Sequence, residues 1–197
     1  MLSSIKSIAL IGSYLPRQCG IATFTADLAA AIVENDADID CTIVAMNDRP
    51  EGYDYPANVQ FQINQERLNE YSLAAACLNL RNPDAVCLQH EYGIFVGERG
   101  SFIIELAQNL KIPLITTLHT VLKDPSPEER KVITQLSNLS DKLVVMSERG
   151  VDFLRDVYHV PESRIALIHH GIPDVPFHDV DPCKSKIVAE GKIILLT

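Results

Sequence analysis

The sequence predicts an α/β protein built on an open, doubly wound parallel sheet of about seven strands with helices on both faces. Short runs rich in Ile, Val and Leu alternate along the chain with segments of helical period, which is the pattern of strands joined by crossover helices. Several runs are almost continuously apolar, as expected of strands covered on both faces. The 197 residues are fewer than the roughly 250 that a closed eight-fold barrel usually needs, which favours an open sheet. The predicted strands span residues 5–12, 41–46, 59–63, 85–90, 113–119, 142–147 and 164–169.

Five helices are predicted between these strands from apolar residues spaced three and four positions apart. The fourth has a clear start, because Ser126 precedes Pro127 and is followed three residues later by Glu129, the pattern of a capping box with proline in the first turn. The fifth is expected to run from Glu148 to about Tyr158. The predicted apolar faces are Ile21, Phe24, Leu28 and Ile32 in the first helix; Leu68, Tyr71, Leu73, Ala75, Leu78 and Leu80 in the second; Phe102, Ile103, Leu106 and Leu110 in the third; Val132, Ile133, Leu136 and Leu139 in the fourth; and Phe153, Leu154 and Val157 in the fifth.

Composition and charge narrow the classes of function. Apolar residues make up 47% and charged residues 22% of the chain, which is typical of a globular protein. The 26 acidic residues outnumber the 17 Lys and Arg residues and give a net charge of −9. This disfavours nucleic-acid binding over a broad face, since such binding requires clustered basic residues. A local anion site made of backbone amides is compatible with this charge, so phosphate-bearing small molecules are still candidates.

The cysteines and the apolar segments indicate the compartment. The five cysteines are an odd number without a C-x-x-C pair, so we predict neither a disulfide framework nor a zinc site, and no other metal. Free cysteines are typical of a reducing cytoplasm. No segment approaches the roughly 20 apolar residues of a membrane span, and the run at residues 8–11 is too short for a signal peptide. We therefore expect a cytoplasmic protein without a transmembrane segment.

A change of composition near residue 171 predicts the end of the first domain. We assign residues 1–171 to one α/β domain and residues 172–191, which contain three prolines, to an extended connector between domains. His170 and Gly171 would act as the hinge of this connector. The apolar run at residues 192–197 is expected to be the first strand of a second domain that is missing from this chain.

The loop after the first strand is a candidate anion site. In open parallel sheets, ligands bind beyond the carboxyl ends of the strands. Gly20 lies there at the start of the first helix, whose free amides and dipole favour an anion such as phosphate. The motif G-x-G-x-x-G and its acidic partner are absent, so the segment carries no dinucleotide fingerprint. The alternative is that the glycine serves only the turn.

Polar side chains also follow the fourth and fifth strands. His90 and Glu91 could form an acid/base pair or bind sugar hydroxyls, with the aromatic Tyr92 beside them. Alternatively, one of them satisfies a buried backbone group. His119 ends an apolar strand at the ligand-binding edge, which makes it a better candidate than a mid-strand histidine.

The last two strands contribute further candidates. Ser147 is expected first to cap the helix that it precedes, since its oxygen can accept from free helical amides. Arg149 could in addition contact an anionic substrate. His169 and His170 are adjacent, but no cysteine or carboxylate lies at ligand spacing from them, so a hinge is preferred to a metal site.

Five segments taken together resemble the N-terminal domain of family-four glycosyltransferases of the GT-B architecture. They are PRQCGIATFT at residues 16–25, QHEYGIF at 89–95, TTLHT at 116–120, VVMSER at 144–149 and HGIP at 170–173. The resemblance covers essentially the whole chain in order. It implies one half of a GT-B fold, in which two Rossmann-like domains face each other across a cleft, with the donor-binding half missing here.

The resemblance implies a retaining transfer of a sugar from a nucleotide-diphosphate sugar to a carbohydrate or other hydroxyl acceptor, without a required metal or cofactor. It assigns Gly20 to the donor diphosphate, next to Cys19, where the family often has another glycine. It places His119 beside the transferred sugar, and Ser147 with the loop of residues 90–97 on the acceptor side. The isolated chain is therefore expected to bind acceptor weakly without turnover.

Two other functions are still open. The chain could be a non-catalytic product, either truncated or a split-gene subunit that needs a partner chain to supply the donor half. It could also be a stand-alone nucleotide-binding α/β protein such as an oxidoreductase module, although the missing G-x-G-x-x-G argues against this. A Ser-His-Asp hydrolase is disfavoured because no G-x-S-x-G occurs in the sequence.

Overall fold

The computed structural model describes residues 5–172 and 180–194 of the chain. All seven strands predicted from the sequence are confirmed, with small differences at their ends. The strands are β1 (Ser7–Gly12), β2 (Asp40–Asn47), β3 (Val59–Asn64), β4 (Ala85–His90), β5 (Leu114–Leu118), β6 (Lys142–Val145) and β7 (Ile165–Leu167).

The seven strands form one parallel sheet in the order β3-β2-β1-β4-β5-β6-β7. The chain begins in the interior of the sheet at β1, moves outward to β3, crosses back to β4 and then moves outward in the other direction to β7. The direction reverses between β1 and β4, which are neighbours with Ile11 opposite Leu88. In such sheets the ligand crevice opens at the carboxyl ends of the strands that flank the reversal. A ligand crevice is therefore expected beside the segments that follow β1 and β4.

Helices connect the strands along both faces of the sheet. They are α1 (Gly20–Asn35), α2 (Leu68–Arg81), α3 (Phe102–Asn109), α4 (Pro127–Leu139), α5 (Glu148–Asp156) and α6 (Val180–Lys186). The capping box predicted at the start of α4 is confirmed. Ser126 Oγ accepts a hydrogen bond from the Glu129 amide at 3.2 Å, and Glu129 Oε2 accepts one from the Ser126 amide at 2.8 Å. Both side chains thus satisfy amides that the helix itself leaves unpaired.

The core has an apolar layer on each face of the sheet. Ala9 and Ile11 of β1 belong to the cluster shared with α2, α3 and α4, whereas Leu10 between them belongs to the cluster shared with α1. A further cluster joins β6 to α4 and α5 through Ile133 and Leu154. All five residues are fully buried, and each large apolar side chain contributes roughly 1.5–3 kcal/mol through burial. The predicted arrangement of helices on both faces is confirmed.

The face that α1 turns to the sheet differs from the predicted one. Its buried residues are Ala22, Thr25 and Ala29, which are small enough to let the helix approach the strands closely. Phe24, which was predicted to face the core, instead contacts two histidine rings beyond the strand ends. The other predicted residues are partly buried at the margins of the contact, namely Ile21, Leu28 and Ile32.

The predicted face of α2 is wrong in part. Tyr71, Ala75 and Leu78 are buried as predicted, but Leu68, Leu73 and Leu80 are 44%, 54% and 88% exposed. Apolar residues occur all around this helix, so hydrophobicity alone does not mark the inward face. The inward stripe is set by packing against the sheet and α3.

The segment after the first domain is helical where we predicted an extended connector. α6 begins at Val180, and Pro182 lies in its first turn, where a proline is tolerated because the amide would have no helical partner. Residues 192–194 are described without strand structure, and residues 195–197 lie outside the described residues, as do residues 173–179. The assignment of residues 172–191 to an interdomain connector, and of residues 192–197 to a second domain, stays a prediction.

Candidate functional site

The crevice at the reversal of the sheet is bounded by the N-terminus of α1 and by the segments that follow β1, β4 and β5. The loop between β1 and α1 is anchored to β2 by one side chain. Arg17 forms an ion pair with Asp48 at 3.3 Å and donates to the Met46 carbonyl at 3.4 Å. The Arg17 side chain is only 12% exposed. Its guanidinium is therefore paired within the loop and is not free to bind a ligand in the crevice.

The first turn of α1 carries the amides predicted to bind an anion. Cys19 caps the helix, since its Sγ accepts from the Ala22 amide at 3.3 Å and its carbonyl accepts from the Thr23 amide at 3.2 Å. In the described part of the chain, this leaves the amides of Gly20 and Ile21 as open donors. A Cβ added at Gly20 would meet no atom within 4 Å. Packing therefore does not require glycine here, and the position opens toward the crevice.

His119 borders the crevice in the segment after β5 and is held by several contacts. Its Nε2 is 3.1 Å from Gln89 Oε1, and its amide donates to the His90 carbonyl at 3.0 Å. Its ring meets Phe24 edge to face, with centroids 4.7 Å apart. Burial lowers the pKa of His119, Glu91 acts in the opposite direction and His170 lowers the pKa further. The ring is thus neutral near pH 7.

His90 lies behind this wall and not on its surface. It has no solvent exposure, stacks on Phe95 at 5.9 Å and meets the Tyr92 ring at 5.2 Å. Burial, with a smaller contribution from His119, lowers the pKa of His90 to about 3. The predicted direct contact of His90 with a ligand is inconsistent with this burial, because a strand end turns successive side chains to opposite faces. His90 acts on the site through its carbonyl, which fixes His119.

Glu91 and Tyr92 tie the crevice segments together. Glu91 Oε2 accepts from Thr120 Oγ1 at 2.6 Å, and its Oε1 accepts from the Tyr92 amide at 2.8 Å. Tyr92 is half-buried against the cluster around α5, and its pKa is raised mainly by burial and also by Tyr158. Both predicted residues thus build the wall that carries His119. Their predicted contacts with an acceptor stay predictions.

Ser147 and Arg149 lie two strands away from the reversal, after β6. The predicted cap is confirmed, since Ser147 Oγ accepts from the Gly150 amide at 3.1 Å. Both side chains are exposed. Within the described residues, Arg149 makes no ion pair or hydrogen bond, so its charge is available to a ligand at this end of the sheet.

His170, predicted as part of a hinge, is brought to the crevice by the fold. Its ring lies 5.2 Å from the Phe24 ring, on which His119 also packs. His170 Nδ1 is 2.6 Å from the carbonyl of Gly171. A Cβ at Gly171 would meet no atom within 4 Å. The hinge stays a prediction, but His170 joins the candidate site through Phe24.

Three residues of the site were missed by sequence reasoning. Phe24 was assigned to the core, while Gln89 and Thr120 were not singled out. Gln89 is a polar residue that follows the apolar run of residues 85–88 in a predicted strand, which is the signal that could have found it, and the structure buries it fully. Thr120 follows His119 directly, and nothing in its local sequence indicates that it bonds Glu91.

Residues 19–174 match the family model described as Glycosyltransferase Family 4. The match covers most of the chain. The chain belongs to Glycosyltransferase Family 4. The resemblance carried by the five sequence segments is thereby confirmed at the level of the family.

Two solved structures show the same fold as this family-four chain. The chain superposes on "lipopolysaccharide outer core galactosyltransferase WaaB apo form" with a TM-score of 0.57 and 10% identity, covering 84% of this chain and 46% of that one. It superposes on a glycosyltransferase from Rickettsia africae ESF-5 with a TM-score of 0.61 and 16% identity, covering 95% of this chain and 51% of that one. The chain thus spans about half the length of these structures. No curated protein sequence matches it significantly.

The described residues of this family-four chain contain neither a candidate metal cluster nor a candidate membrane span. Within residues 5–172 and 180–194, no group of three or more His, Cys, Asp and Glu side chains is placed to hold a metal ion. None of the helices in that part of the chain combines the length and apolar character needed to cross a membrane.

Proposed function

We propose that this chain is the acceptor-side half of a retaining glycosyltransferase, which moves a sugar from a nucleotide-diphosphate sugar to a carbohydrate or other hydroxyl acceptor. The observation that carries the proposal is the contact of His119 with Phe24 of α1, four residues beyond the open amide of Gly20, at the reversal of the sheet in a family-four chain. The donor-binding half would come from a second domain or from a partner chain.

The open amides suit the leaving group. Departure of a nucleoside diphosphate develops negative charge, which preorganised amides and cations stabilise. Gly20 and Ile21 supply such amides at the positive end of a 16-residue helix. Arg17 is already paired with Asp48, so most of the compensating cations would come from the donor half. The net charge of −9 is consistent with this division of roles.

His119 would lie beside the transferred sugar. Because its pKa is lowered by burial, the ring is neutral near pH 7 and can bond a sugar hydroxyl without delivering a proton. The leaving phosphate can take the proton of the acceptor hydroxyl. The proposal therefore requires neither a protein base nor a metal or organic cofactor.

The acceptor would bind along the carboxyl ends of β4 to β6. Ser147 and Arg149 are exposed there and offer a hydroxyl and an unpaired cation. Glu91 and Tyr92 lie in the segment after β4, and Glu91 bonds this segment to Thr120, the residue that follows His119. This arrangement supports a polar acceptor with hydroxyl groups.

His119→Ala tests the proposal in a chain completed with a donor-binding domain. Sugar transfer, measured by release of the nucleoside diphosphate, should fall by about tenfold or more, equivalent to at least about 1.4 kcal/mol, while the circular dichroism spectrum is unchanged. His159→Asn is the matched control, since His159 is an exposed histidine with φ of 57°, a conformation that asparagine tolerates. Wild-type turnover by His119→Ala would exclude His119 from the reaction.

A further inference from the structure

Gln89 is placed so that its side chain can act on His119. It is the penultimate residue of β4 and has no solvent exposure. Its Oε1 lies 3.1 Å from Nε2 of His119. On its other side is Gly12 of β1, where an added Cβ would come within 3.1 Å of Gln89 Cβ. The glutamine is therefore confined between the end of β1 and the histidine.

Burying the side-chain amide of Gln89 lowers the stability of the fold. In the described part of the chain, Gln89 Nε2 has no hydrogen-bond partner. An unpaired buried donor costs about 1–3 kcal/mol, which an apolar side chain of the same size would avoid. The stability of the fold thus does not explain a glutamine at this position, whereas its oxygen has a defined partner.

We propose that Gln89 is a positioning residue that holds neutral His119 in the tautomer with hydrogen on Nε2, so that Nδ1 is left as an acceptor for a substrate hydroxyl. An amide oxygen only accepts, so the imidazole nitrogen facing it must carry the hydrogen. A neutral imidazole has one N–H, and Nδ1 then presents a lone pair. The binding of a substrate hydroxyl to Nδ1 rests on the proposed function, whereas the tautomer of His119 does not.

The other groups around His119 determine its charge and leave its tautomer to Gln89. Glu91, in the segment after β4, favours the protonated ring, whereas His170 and burial favour the neutral one. His90 lies behind the ring, is neutral, and bonds His119 only through its backbone carbonyl. Phe24 offers the ring an apolar contact. Among the described residues, Gln89 is thus the side chain that bonds a nitrogen of this imidazole.

The tautomer can be measured directly on the chain by long-range ¹⁵N–¹H NMR of histidine-labelled protein, with the His119 signals assigned by their loss in His119→Asn. At a pH where the ring is neutral, we expect wild-type protein to carry hydrogen on Nε2. Gln89→Met, which keeps the length of the side chain but removes the acceptor, should give a mixture of tautomers. Hydrogen on Nδ1 in wild-type protein, or an unchanged tautomer in Gln89→Met, would overturn the proposal.

A second variant tests the contact through charge. Gln89→Glu places a carboxylate beside the imidazole and should raise the pKa of His119 by about one unit or more. Gln108→Glu, at an exposed position of α3, adds the same charge elsewhere and should leave that pKa near its wild-type value. Equal shifts in the two variants would contradict the contact. If the buried glutamate prevents folding, the tautomer measured in Gln89→Met decides the question.

These measurements separate the two proposals. The tautomer and the pKa are measured on the chain without donor or acceptor, so they can support the role of Gln89 even if His119→Ala retains full sugar transfer. Conversely, a defect of His119→Ala together with Nδ1–H in wild-type protein would support the function and exclude this positioning role.

Discussion

The two sides of the crevice differ in how completely the chain builds them. His119 is braced by Gln89, by the His90 carbonyl and by the Phe24 ring. The start of α1 is open, with unpaired amides and free space around Gly20. The His119 side is therefore held in place by contacts within the chain, whereas the α1 side leaves hydrogen-bond donors and space that a ligand can occupy.

This difference has a physical origin in the sheet. His119 directly follows β5, which is paired with β4 and β6, whereas Gly20 lies eight residues beyond the end of β1. The first turn of a helix always leaves amides unpaired, and Cys19 caps only part of them. The braced side should respond to mutation through stability, and the open side through ligand binding.

The largest expected effect on stability is that of Gly12→Val on the braced side. A Cβ at Gly12 would lie 3.1 Å from Gln89 Cβ and 3.2 Å from Thr25 Oγ1, with no exposed space to move into. We expect the free energy of unfolding to fall by about 2–3 kcal/mol in urea titration.

Gly20→Val is the matched control for that variant. Its added side chain meets open space, so its free energy of unfolding should change by no more than about 0.5 kcal/mol. Equal losses in the two variants would remove the distinction between a braced and an open side.

Lowering the pH should reduce the free energy of unfolding through His90, which lies behind the braced side. Its pKa is about 3 in the folded protein and about 6.5 when unfolded, so below pH 6.5 the unfolded state binds the proton first and stability falls. The loss from this residue amounts to about 2 kcal/mol at pH 5. It continues to grow until the pH reaches the folded pKa.

The His90 effect is isolated by comparing urea titrations at pH 7 and pH 5. His90→Gln should lose about 2 kcal/mol less between these two pH values than wild-type protein does. His159→Asn, which removes an exposed histidine, should lose as much as wild-type protein. An undiminished acid loss in His90→Gln would show that His90 is not the buried neutral group described here.

The sequence predicts the frame of this site better than its contacts. Strand positions follow from apolar runs that any parallel sheet requires, and the carboxyl ends that carry ligands follow from the fold class. The contact between Gln89 and His119 depends on register. Gln89 of β4 pairs with Thr117 of β5, so both side chains lie on the same face of the sheet. His119 is two residues beyond Thr117 and lies on that face too, whereas the side chain of His90 points to the opposite face.

Residue type misled the sequence interpretation at two positions. His90 was chosen because it ends the fourth strand next to Glu91, with which it could form an acid/base pair, yet strand alternation buries it. Phe24 was assigned to the core by its helical spacing, but the residues that α1 buries are the smaller Ala22, Thr25 and Ala29, and Phe24 instead contacts His119 and His170. Which large residue stays outside is decided by the distance between helix and sheet, a quantity that local sequence does not contain.

On the open side, Gly20→Val should reduce the binding of the donor. Its side chain would occupy space beside the open amides, so donor affinity in a chain completed with a donor-binding domain should fall by about tenfold, equivalent to about 1.4 kcal/mol. Isothermal titration with the nucleotide sugar measures this change. Unchanged affinity would mean that the diphosphate does not approach the first turn of α1.

The smallest expected effect is that of Thr120→Val, which removes the 2.6 Å bond to Glu91 and keeps the shape of the side chain. We expect a loss of about 1 kcal/mol in the free energy of unfolding, because Glu91 loses one of its two fixed partners. Thr134→Val is the control, since its hydroxyl bonds a carbonyl on the exposed face of α4. A larger loss in the control would show that Glu91 does not brace the segments after β4 and β5. The rigidity of the His119 side would then rest on Gln89, the backbone of His90 and the Phe24 ring.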